Sequence, residues 1–466
     1  MAQWRGLPSS LDKRGANNFS GGLDLGQNAF NINDNSSTDE FGWDFEDYPA
    51  LKVRNGRTSF GASGGAVTRL LINYKSTRML RAVGTVIQTE SSGVWSNLAT
   101  GLTDTDWSAV NYRDSLIMTN GTDNVKVYNG TTYADLSASA PKGKYVTQHD
   151  NRVYILKDRT ISYCALGIPT DWTTVDDAGE INMSTPNGEL GTAITSFNGY
   201  VIGFSMNYYA KLYGKGPDDY ELLDGYGNIG CASAKTIQNV NGILYWMDQR
   251  GIYSYDGGVP EDISQPIRPY LTNLNVSQID KCFGGTDDQK YYIGLVTGSN
   301  TEPNVLLVYD PRSDRKKWRV QSLITDLRYS TNFNGRWYNG GSSGKTYLMN
   351  EGDTDDGLAI PYSVTSRPFD EKYPEAEKEY YEMHMQGEFP STATLGLSVS
   401  TDDQGSSFTG IQYDPISTSN LTQNRNLIVP MDTVALAFWM RYKISGTGRI
   451  KIVGVQRYCR IQPVQY

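Results

Sequence analysis

The sequence predicts an all-β fold, and two features of its 466 residues lead to that prediction. Short segments in which apolar and polar residues alternate are separated by turns rich in glycine and aspartate, which is the pattern of antiparallel hairpins. These segments recur at a spacing of roughly 38 to 48 residues, which indicates a repeated structural unit. The composition agrees, because 32 tyrosines and 48 glycines suit many short strands joined by tight turns.

The clearest copy of the repeated unit is the segment 241–264, NGILYWMDQRGIYSYDGGVPEDIS. Residues 243–248 form a predicted strand, 249–251 turn the chain, 252–255 form the return strand, and 256–258 turn it again. Apolar residues at a period of two, bounded by glycine and aspartate, predict a β-hairpin. We interpret its tyrosines as packing between units rather than as a ligand platform.

Weaker copies of this unit run through residues 66–350. Their spacing is close to the length of one blade of a β-propeller, about 40 to 50 residues. A blade is a four-stranded antiparallel sheet, and blades pack radially around an axis. With about seven copies, the sequence predicts a six- or seven-bladed β-propeller. A pair of β-sandwiches with regular hairpins is the alternative, but the even spacing favours the propeller.

Two further segments flank the repeats. Residues 1–65 consist of polar turn residues with isolated apolar anchors, so we expect an extended N-terminal arm that packs on a neighbour in the same chain or in another subunit. Residues 351–466 are expected to form a C-terminal β-sandwich that begins with an exposed acidic turn at 351–357. Within it, residues 375–382 have helical propensity, but the alternation that follows favours a strand from about Glu379.

Charge and composition narrow the function classes. A net charge of −9 argues against a nucleic-acid-binding surface, which needs clustered lysine and arginine. An acidic surface would repel phosphate and would still let DNA slide past. Cys164, Cys231, Cys282 and Cys459 lie far apart, so we expect buried free thiols rather than disulfides or a zinc site. No apolar run approaches the ~20 residues of a membrane span, and residues 1–5 lack the core of a signal peptide, so we expect assembly in a cytoplasm.

The sequence predicts no catalytic, cofactor-binding or metal-binding residues, and no enzyme activity. The two histidines, His149 and His384, fall in different predicted domains and are interpreted as surface or structural residues. Paired carboxylates of the kind that glycosidases use do occur, but they cluster in turns, where capping of backbone N–H groups explains them. These pairs are Asp104 and Asp106, Asp218 and Asp219, and Asp287 and Asp288.

Three short motifs indicate turns rather than chemistry. Residues 401–408, TDDQGSSF, resemble the Asp-box of sialidases, which is a structural hairpin turn in that family. Residues 340–346, GGSSGKT, end like a P-loop but lack its first glycine, and a strand rather than a helix is predicted to follow. The acidic turn 351–357 resembles a calcium loop only superficially, because Val364 stands where the twelfth-position acid is required.

Several loose motifs follow one another along almost the full chain. They are GGL at 21–23, LKVRNGR at 51–57, GIPTDW at 167–172, NGYVIGF at 198–204, KLYG at 211–214, IGCAS at 229–233, GIYSY at 251–255, and closing strands at 437–441 and 450–455. In this order they resemble the β-propeller tail hub or nozzle proteins (tail tubular or stabilisation type) of double-stranded DNA phages, and related minor tail proteins. No catalytic residues are associated with that family, so none is carried over.

The resemblance implies a structural virion protein. It implies a homo-oligomer, usually a hexameric ring, around the DNA ejection channel below the portal and its adaptor. Partners would be the portal–adaptor, other tail proteins, and the tail fibres or tip. DNA would pass without sequence-specific binding, and the protein would be located in the virion tail after assembly in the host cytoplasm.

Two other functions stay open at the level of sequence. A carbohydrate- or receptor-binding propeller of the tail tip would use exposed aromatic side chains, such as Trp95, Trp107 and Trp337, to stack on sugars. A polysaccharide-degrading enzyme would place one of the acid pairs in a groove.

Overall fold

A computed structural model describes residues 11–16, 18–312, 315–323, 326–402, 407–411, 425–431, 434 and 436–463. The described residues are organised mainly as antiparallel β-strands. They divide into two compact units. The repeat unit contains the described residues of Ser59–Leu306 and Ile324–Met349, and the composite unit contains those of Met1–Thr58, Leu307–Leu323 and Asn350–Tyr466.

Five successive sheets of the repeat unit each have four antiparallel strands, hydrogen-bonded in chain order. Sheet 1 is Thr68–Tyr74, Arg78–Val83, Val86–Ser91 and Val94–Ala99; sheet 2 is Ser108–Tyr112, Ser115–Thr119, Lys126–Tyr128 and Tyr133–Asp135; sheet 3 is Tyr145–His149, Arg152–Lys157, Thr160–Tyr163 and Gly179–Asn182; sheet 4 is Gly191–Phe197, Tyr200–Ser205, Tyr209–Tyr213 and Glu221–Asp224; sheet 5 is Gln238–Val240, Ile243–Met247, Ile252–Tyr255 and Glu261–Asp262.

Two further strand groups complete the repeat unit. Sheet 6 pairs Phe283–Thr286 with Tyr291–Leu295, and the chain passes to the composite unit within the strand Val305–Asp310. Sheet 7 is formed by Leu327–Phe333, Arg336–Gly341 and Thr346–Met349. The helical segments of the described chain are the α-helix Arg268–Thr272 and the 3-10 turns Pro186–Gly188, Pro217–Asp219, Ala234–Thr236, Gln265–Ile267 and Val276–Lys281. No described helix has the length and apolarity to cross a membrane.

The hairpin predicted at 241–264 is confirmed. Leu244 pairs with Tyr255, and the Asp248 carboxylate closes the turn by accepting a hydrogen bond from the Gly251 amide at 2.8 Å. Both faces of this strand are buried, because each face packs on a neighbouring sheet. Trp246 contacts Phe204 of sheet 4 with ring centroids 5.5 Å apart, and on the other face Tyr245 stacks on Tyr291 of sheet 6 at 5.1 Å.

Apolar clusters join sheets 1 to 5 in order and also join sheet 7 to sheet 1. Residues of sheets 1 and 2 share one core, and similar cores join sheets 2 and 3, 3 and 4, and 4 and 5. A further cluster combines Leu71 and Met79 of sheet 1 with Tyr329 and Tyr338 of sheet 7. Burying each such side chain contributes about 1.5–3 kcal/mol. Four-stranded sheets that pack face to face in chain order are the arrangement of a β-propeller, so this part of the predicted fold is confirmed.

The composite unit contains two sheets whose residues contribute to one apolar core. The first sheet has the order Trp43–Asp44, Leu51–Val53, Lys451–Ile461, Lys378–Glu388 and Arg425–Pro430, and Asp12–Ala16 also pairs with Lys451–Ile461. Within this unit the second sheet has the order Lys317–Ser322, Gly22–Leu23, Ser36–Phe41, Pro361–Ser366, Arg441–Thr447, Thr394–Ser400 and Thr409–Gly410. The short strands Thr354–Asp355 and Leu358–Ala359 form a hairpin, and Asp355 also pairs with Arg57 of Arg57–Ser59.

The N-terminal segment packs on another part of the same chain. Trp43, Leu51 and Val53 are each 0% exposed and belong to the same core as residues of the C-terminal segment. The boundary expected after residue 350 lies within one residue of the division between Met349 and Asn350, whereas the first division follows Thr58 rather than residue 65, and Leu307–Leu323 also belongs to the composite unit. The strands of this segment have two to six residues, too few for a recognisable alternation, and most of their partners lie hundreds of residues later.

The strand predicted from about Glu379 is confirmed. Lys378–Glu388 pairs with Lys451–Ile461 on one side and with Arg425–Pro430 on the other. Residues 375–382 have helical propensity, but from Lys378 they belong to this strand, because tertiary packing overrides a weak local preference.

Candidate functional site

The two histidines have different surroundings. His149 ends the first strand of sheet 3, and its Nδ1 lies 3.0 Å from Ser196 Oγ while its Nε2 lies 3.4 Å from Asp150 Oδ2. These residue types match a catalytic triad, but 3.4 Å is too long for a well-formed bond to the carboxylate, and none of the three lines the cavity described below. His384, in the composite unit, bonds to Glu382 at 2.9 Å.

The acid pairs divide into two kinds. Asp219 accepts hydrogen bonds from the backbone amides of Lys215 and Gly216 at 2.9 and 2.8 Å, and Asp287 likewise accepts from Lys290 N at 2.8 Å. These are the expected turn caps. The capping interpretation is wrong for the third pair, because Asp104 and Asp106 form ion pairs with Arg69, as described below.

The aromatic side chains considered for sugar stacking are less exposed than expected. Trp107 and Trp337 are 4% and 2% exposed, so the expectation that their rings face solvent is wrong. Trp337 stacks on Tyr292 with centroids 4.0 Å apart. Trp95 is half-buried, with the Arg81 guanidinium 4.1 Å from its ring centroid. These rings are therefore engaged in packing within the propeller.

The described residues of the remaining motifs form turns. Residues 340–346 form the hairpin between Arg336–Gly341 and Thr346–Met349, with no helix at the GKT end. In the acidic turn, Asp353 pairs with Arg449 at 2.6 Å. Part of the Asp-box-like segment 401–408 lies outside the described residues. All four cysteines are free and buried, as predicted, and the described chain holds no group of three or more His, Cys, Asp or Glu placed to hold a metal ion.

A cavity of about 500 Å³ lies within the repeat unit and is the candidate functional site. Residues at the starts of sheets 1 to 4, in the turn before sheet 5, and in sheet 7 line it. Its walls include the buried side chains of Leu70, Trp107, Leu156 and Ile279. Exposed lining residues mark its mouth, and they are Lys144, Asp158, Leu190 and Asp280. A volume of this size is within the range of small-molecule pockets.

A partly buried ion pair lies at this cavity. Lys235 Nζ donates to Asp106 Oδ2 at 2.8 Å and lies 5.1 Å from the centroid of the Tyr329 ring. Arg69 reaches the other oxygen of Asp106 at 3.3 Å and pairs with Asp104 at 2.7 Å. Asp106 and Lys235 thus belong to one network that joins sheet 1, the segment before sheet 2, and the turn before sheet 5.

The backbone turn that carries Lys235 is held by hydrogen bonds. Ser233 Oγ lies 3.0 and 2.8 Å from the carbonyl oxygens of Asp280 and Cys282, either of which can accept its single hydrogen bond. Thr236 Oγ1 donates back to the Ser233 carbonyl at 2.7 Å and closes the 3-10 turn Ala234–Thr236. The lysine therefore projects from a fixed turn rather than from a free loop.

Burial and neighbouring charges shift the pKa values of Asp106 and Lys235 in opposite directions. Burial acts to raise the pKa of Asp106, but the charge and hydrogen bond of Lys235, with Arg328 and Arg69, outweigh it and hold that pKa below its usual value. Burial lowers the pKa of Lys235, although Asp106 opposes the shift. The carboxylate therefore stays ionised at neutral pH and keeps the lysine in place.

Sequence analysis did not find this site. Asp106 and Lys235 are 129 residues apart, and neither belongs to a recognisable motif. Only the acid pair Asp104 and Asp106 indicated this site in the sequence. The cations that pair with it are far away along the chain, since Arg69 is 35 residues from Asp104 and Lys235 is 129 residues from Asp106.

No protein-family model and no curated protein matches the chain. Solved structures resemble it at low identity. A catalytically inactive virginiamycin B lyase from Staphylococcus aureus, solved with quinupristin, matches with a TM-score of 0.46 and 9% identity over 63% of this chain and 98% of that chain. BamB from Moraxella catarrhalis matches with a TM-score of 0.40 and 9% identity over 67% of this chain and 96% of that chain.

The computationally designed protein Ika8 matches with a TM-score of 0.40 and 9% identity, over 63% of this chain and 99% of that chain. At these scores the likenesses carry no argument about what this chain binds or does. The propeller assignment rests instead on the sheets of this structure.

Proposed function

We propose that the protein is a structural component of a phage tail, a hub or nozzle subunit that forms a ring around the DNA ejection channel. The observation that carries the proposal is the order of sequence motifs along almost the full chain, which resembles that protein family. Several of these motifs lie on strands of the structure, among them Tyr200–Ser205, Ile252–Tyr255 and Lys451–Ile461.

The finer architecture belongs to the same proposal. We infer seven blades, because a side-chain contact joins each sheet of the repeat unit to the next and joins sheet 7 to sheet 1. Asn73 of sheet 1 donates to the Asn332 carbonyl of sheet 7 at 2.9 Å, which supports a closed ring of sheets. The other contacts are Asn111 to Asn73, Tyr112 to Asn151, His149 to Ser196, Asn198 to Asp256, Gln238 to Gly284, and Tyr292 to Trp337.

We infer that the composite unit is a β-sandwich. Its two sheets enclose a core that contains Trp43, Met383, Ile444 and Ile452, each at most 1% exposed. Two sheets around one apolar core are the defining feature of that architecture. The proposed sandwich therefore draws strands from both ends of the chain.

The proposed assembly is a hexameric ring that contacts the portal–adaptor, other tail proteins, and the fibres or tip in the virion tail. DNA would pass through it without sequence-specific contacts, which a net charge of −9 favours. In this role the protein is structural and not an enzyme.

Composition and imaging of the virus particle test the proposal. We expect purified particles to contain the protein at a small fixed copy number, and labelled protein to lie on the tail axis next to the portal–adaptor. Particles that assemble a complete tail and eject DNA without the protein would contradict the proposal.

A second candidate function is a carbohydrate- or receptor-binding propeller at the tail tip, and the cavity at Lys235 is the observation that favours it. Under this alternative, labelled protein would lie at the periphery of the tail, and glycan arrays would give hits that the proposed hub does not predict.

A further inference from the structure

The ammonium group of Lys235 has more N–H donors than the described residues provide acceptors for. An ammonium carries three donors, and the described residues give this one a single hydrogen-bond acceptor, Asp106, with the Tyr329 ring on another side. The Lys235 side chain is 12% exposed, and the residue lines the cavity. At least one N–H group is therefore available to a bound molecule.

The charged groups around Lys235 are balanced overall, with five cations and five carboxylates. Arg69 and Lys235 balance Asp104 and Asp106. Next to them Glu302 accepts hydrogen bonds from Arg328 at 2.7 and 3.2 Å and from Lys281 at 3.3 Å, so one carboxylate faces two cations. At the mouth, Asp158 and Asp280 oppose Lys144, and these exposed groups are screened by solvent.

The walls of the cavity are suited to an apolar molecule. Leu70, Leu156, Ile279 and the Trp107 ring contribute buried apolar surface, and Met206 adds a flexible side chain. The hydroxyl-bearing ring of Tyr145 also lines the cavity. Apolar walls with a few convergent polar groups are typical of sites for amphipathic small molecules.

We propose that this cavity binds a small amphipathic carboxylate, with its apolar chain against the walls and its carboxylate hydrogen-bonded to Lys235. The carboxylate oxygens accept hydrogen bonds from the N–H of Lys235 that Asp106 does not use, and Asp106 holds the lysine in place. Binding involves no covalent step. The proposal goes beyond the tail function and does not depend on it, because the cavity lies within one chain.

Calorimetric titration of the full-length protein tests the proposal with three probes of the same chain length. Octanoate presents a carboxylate, octanol a neutral hydroxyl, and octylamine a cation. We expect octanoate to bind at least about tenfold more tightly than octanol, because a charge-assisted hydrogen bond contributes that much, and we expect no binding of octylamine. Equal affinity for octanoate and octanol in the wild-type protein, or no octanoate binding at millimolar concentration, would overturn the proposal.

Variants locate the site. Lys235→Met is expected to weaken octanoate binding about tenfold or more and to leave octanol binding nearly unchanged. Lys126→Met, which removes a lysine paired with Asp135 in sheet 2, is the matched control and should bind octanoate like the wild type. Octanoate affinity that is unchanged in Lys235→Met would place the ligand elsewhere and overturn the proposal.

A second variant keeps the test independent of the ion pair. Ala109 lines the cavity, and Ala109→Phe would fill part of it without removing a charge. We expect this variant to melt as cooperatively as the wild type and to lose binding of octanoate and octanol alike. Full retention of octanoate binding in a folded Ala109→Phe protein would contradict the proposed position of the ligand.

Discussion

Arg319 and Glu40 are 279 residues apart in sequence, yet Arg319 Nη1 donates to Glu40 Oε2 at 2.9 Å, and the two side chains are 2% and 0% exposed. Arg319 Nη2 also donates to the Phe19 carbonyl at 2.6 Å, and Ser37 Oγ donates to the same carboxylate oxygen at 2.6 Å. This ion pair joins the N-terminal segment to the strand Lys317–Ser322 inside the composite unit.

Replacing Arg319 by methionine is expected to destabilise the protein by about 3–5 kcal/mol, because a buried carboxylate is left without its partner. Burial already raises the pKa of Glu40, and Arg319 opposes that shift. Without the arginine the pKa of Glu40 rises further, so the folded state of the variant binds a proton that the unfolded state releases. Its stability therefore falls as pH rises above about 4.3, the ordinary value of glutamate, and acidification restores part of it.

Urea denaturation at several pH values measures this effect. Glu40→Gln in the Arg319→Met background removes the titrating group and should flatten the pH dependence of the variant. A loss of less than about 1 kcal/mol at neutral pH, the range of a surface pair, would show that the ion pair is not buried in solution.

Replacing Asp326 by asparagine is expected to destabilise the protein by about 1–3 kcal/mol at neutral pH, because its carboxylate accepts several hydrogen bonds. Tyr347 donates to it at 2.6 Å, the Ser343 amide at 3.0 Å, and the Ser342 hydroxyl at 2.9 Å. Burial acts to raise the pKa of Asp326, but these hydrogen bonds outweigh it and lower that pKa.

The sign of the pH dependence follows from that lowered pKa. The stabilisation is fully present above the ordinary aspartate value of about 3.9 and is lost as pH falls through the folded-state pKa. The difference between wild type and Asp326→Asn in urea denaturation should therefore shrink below about pH 4. Asp218→Asn, at an exposed position, is the control and should change stability by about 0.5 kcal/mol at most. A pH-independent difference would contradict this explanation.

The four cysteines are expected to be unreactive in the folded protein. Burial raises the pKa of Cys231, Cys282 and Cys459 to about 12 each, and it also raises the pKa of Cys164. The thiolate is the reactive form, so a thiol–disulfide reagent at pH near 8 should label no cysteine quickly in the native state and all four after denaturation. Rapid labelling of one thiol in the native protein would show local opening there.

Trp337 is expected to stabilise the propeller rather than to bind ligand. Trp337→Ala should cost about 3–5 kcal/mol in urea denaturation, because it removes a buried ring that stacks on Tyr292. Tyr226→Ala removes an aromatic ring that is 64% exposed and serves as the control, with an expected change of about 0.5 kcal/mol at most. Similar changes in the two variants would contradict the packing role.

The propeller hairpins were predictable because their signal is local. The turn at Asp248 and the apolar run Ile243–Met247 lie within one short segment, so the local sequence indicates both the strand and the turn. The strand from Glu379 was predictable for the same reason. The caps at Asp219 and Asp287 bond to amides within four residues, so local sequence explains them too.

The composite unit and the cavity were not predictable because their contacts are long-range. Trp43 donates a hydrogen bond to the Ser363 carbonyl, 320 residues away. The sequence around Trp43 contains no pattern that predicts this partner. In the same way, the sequence around Asp106 indicates only a turn, whereas in the structure Arg69 of sheet 1 and Lys235 of the turn before sheet 5 lie beside it. The spacing of residues in the sequence does not reveal such pairs, since neither partner belongs to a recognisable motif in its own segment.

Native mass spectrometry of the purified protein, with cryo-electron microscopy of the same sample, tests the proposed ring most directly. A hub subunit is expected to form a closed assembly of about six chains of 51.7 kDa, alone or with its portal–adaptor, with a central channel wide enough for duplex DNA. A protein that stays monomeric at all concentrations and forms no ring with the portal–adaptor would contradict the proposed function.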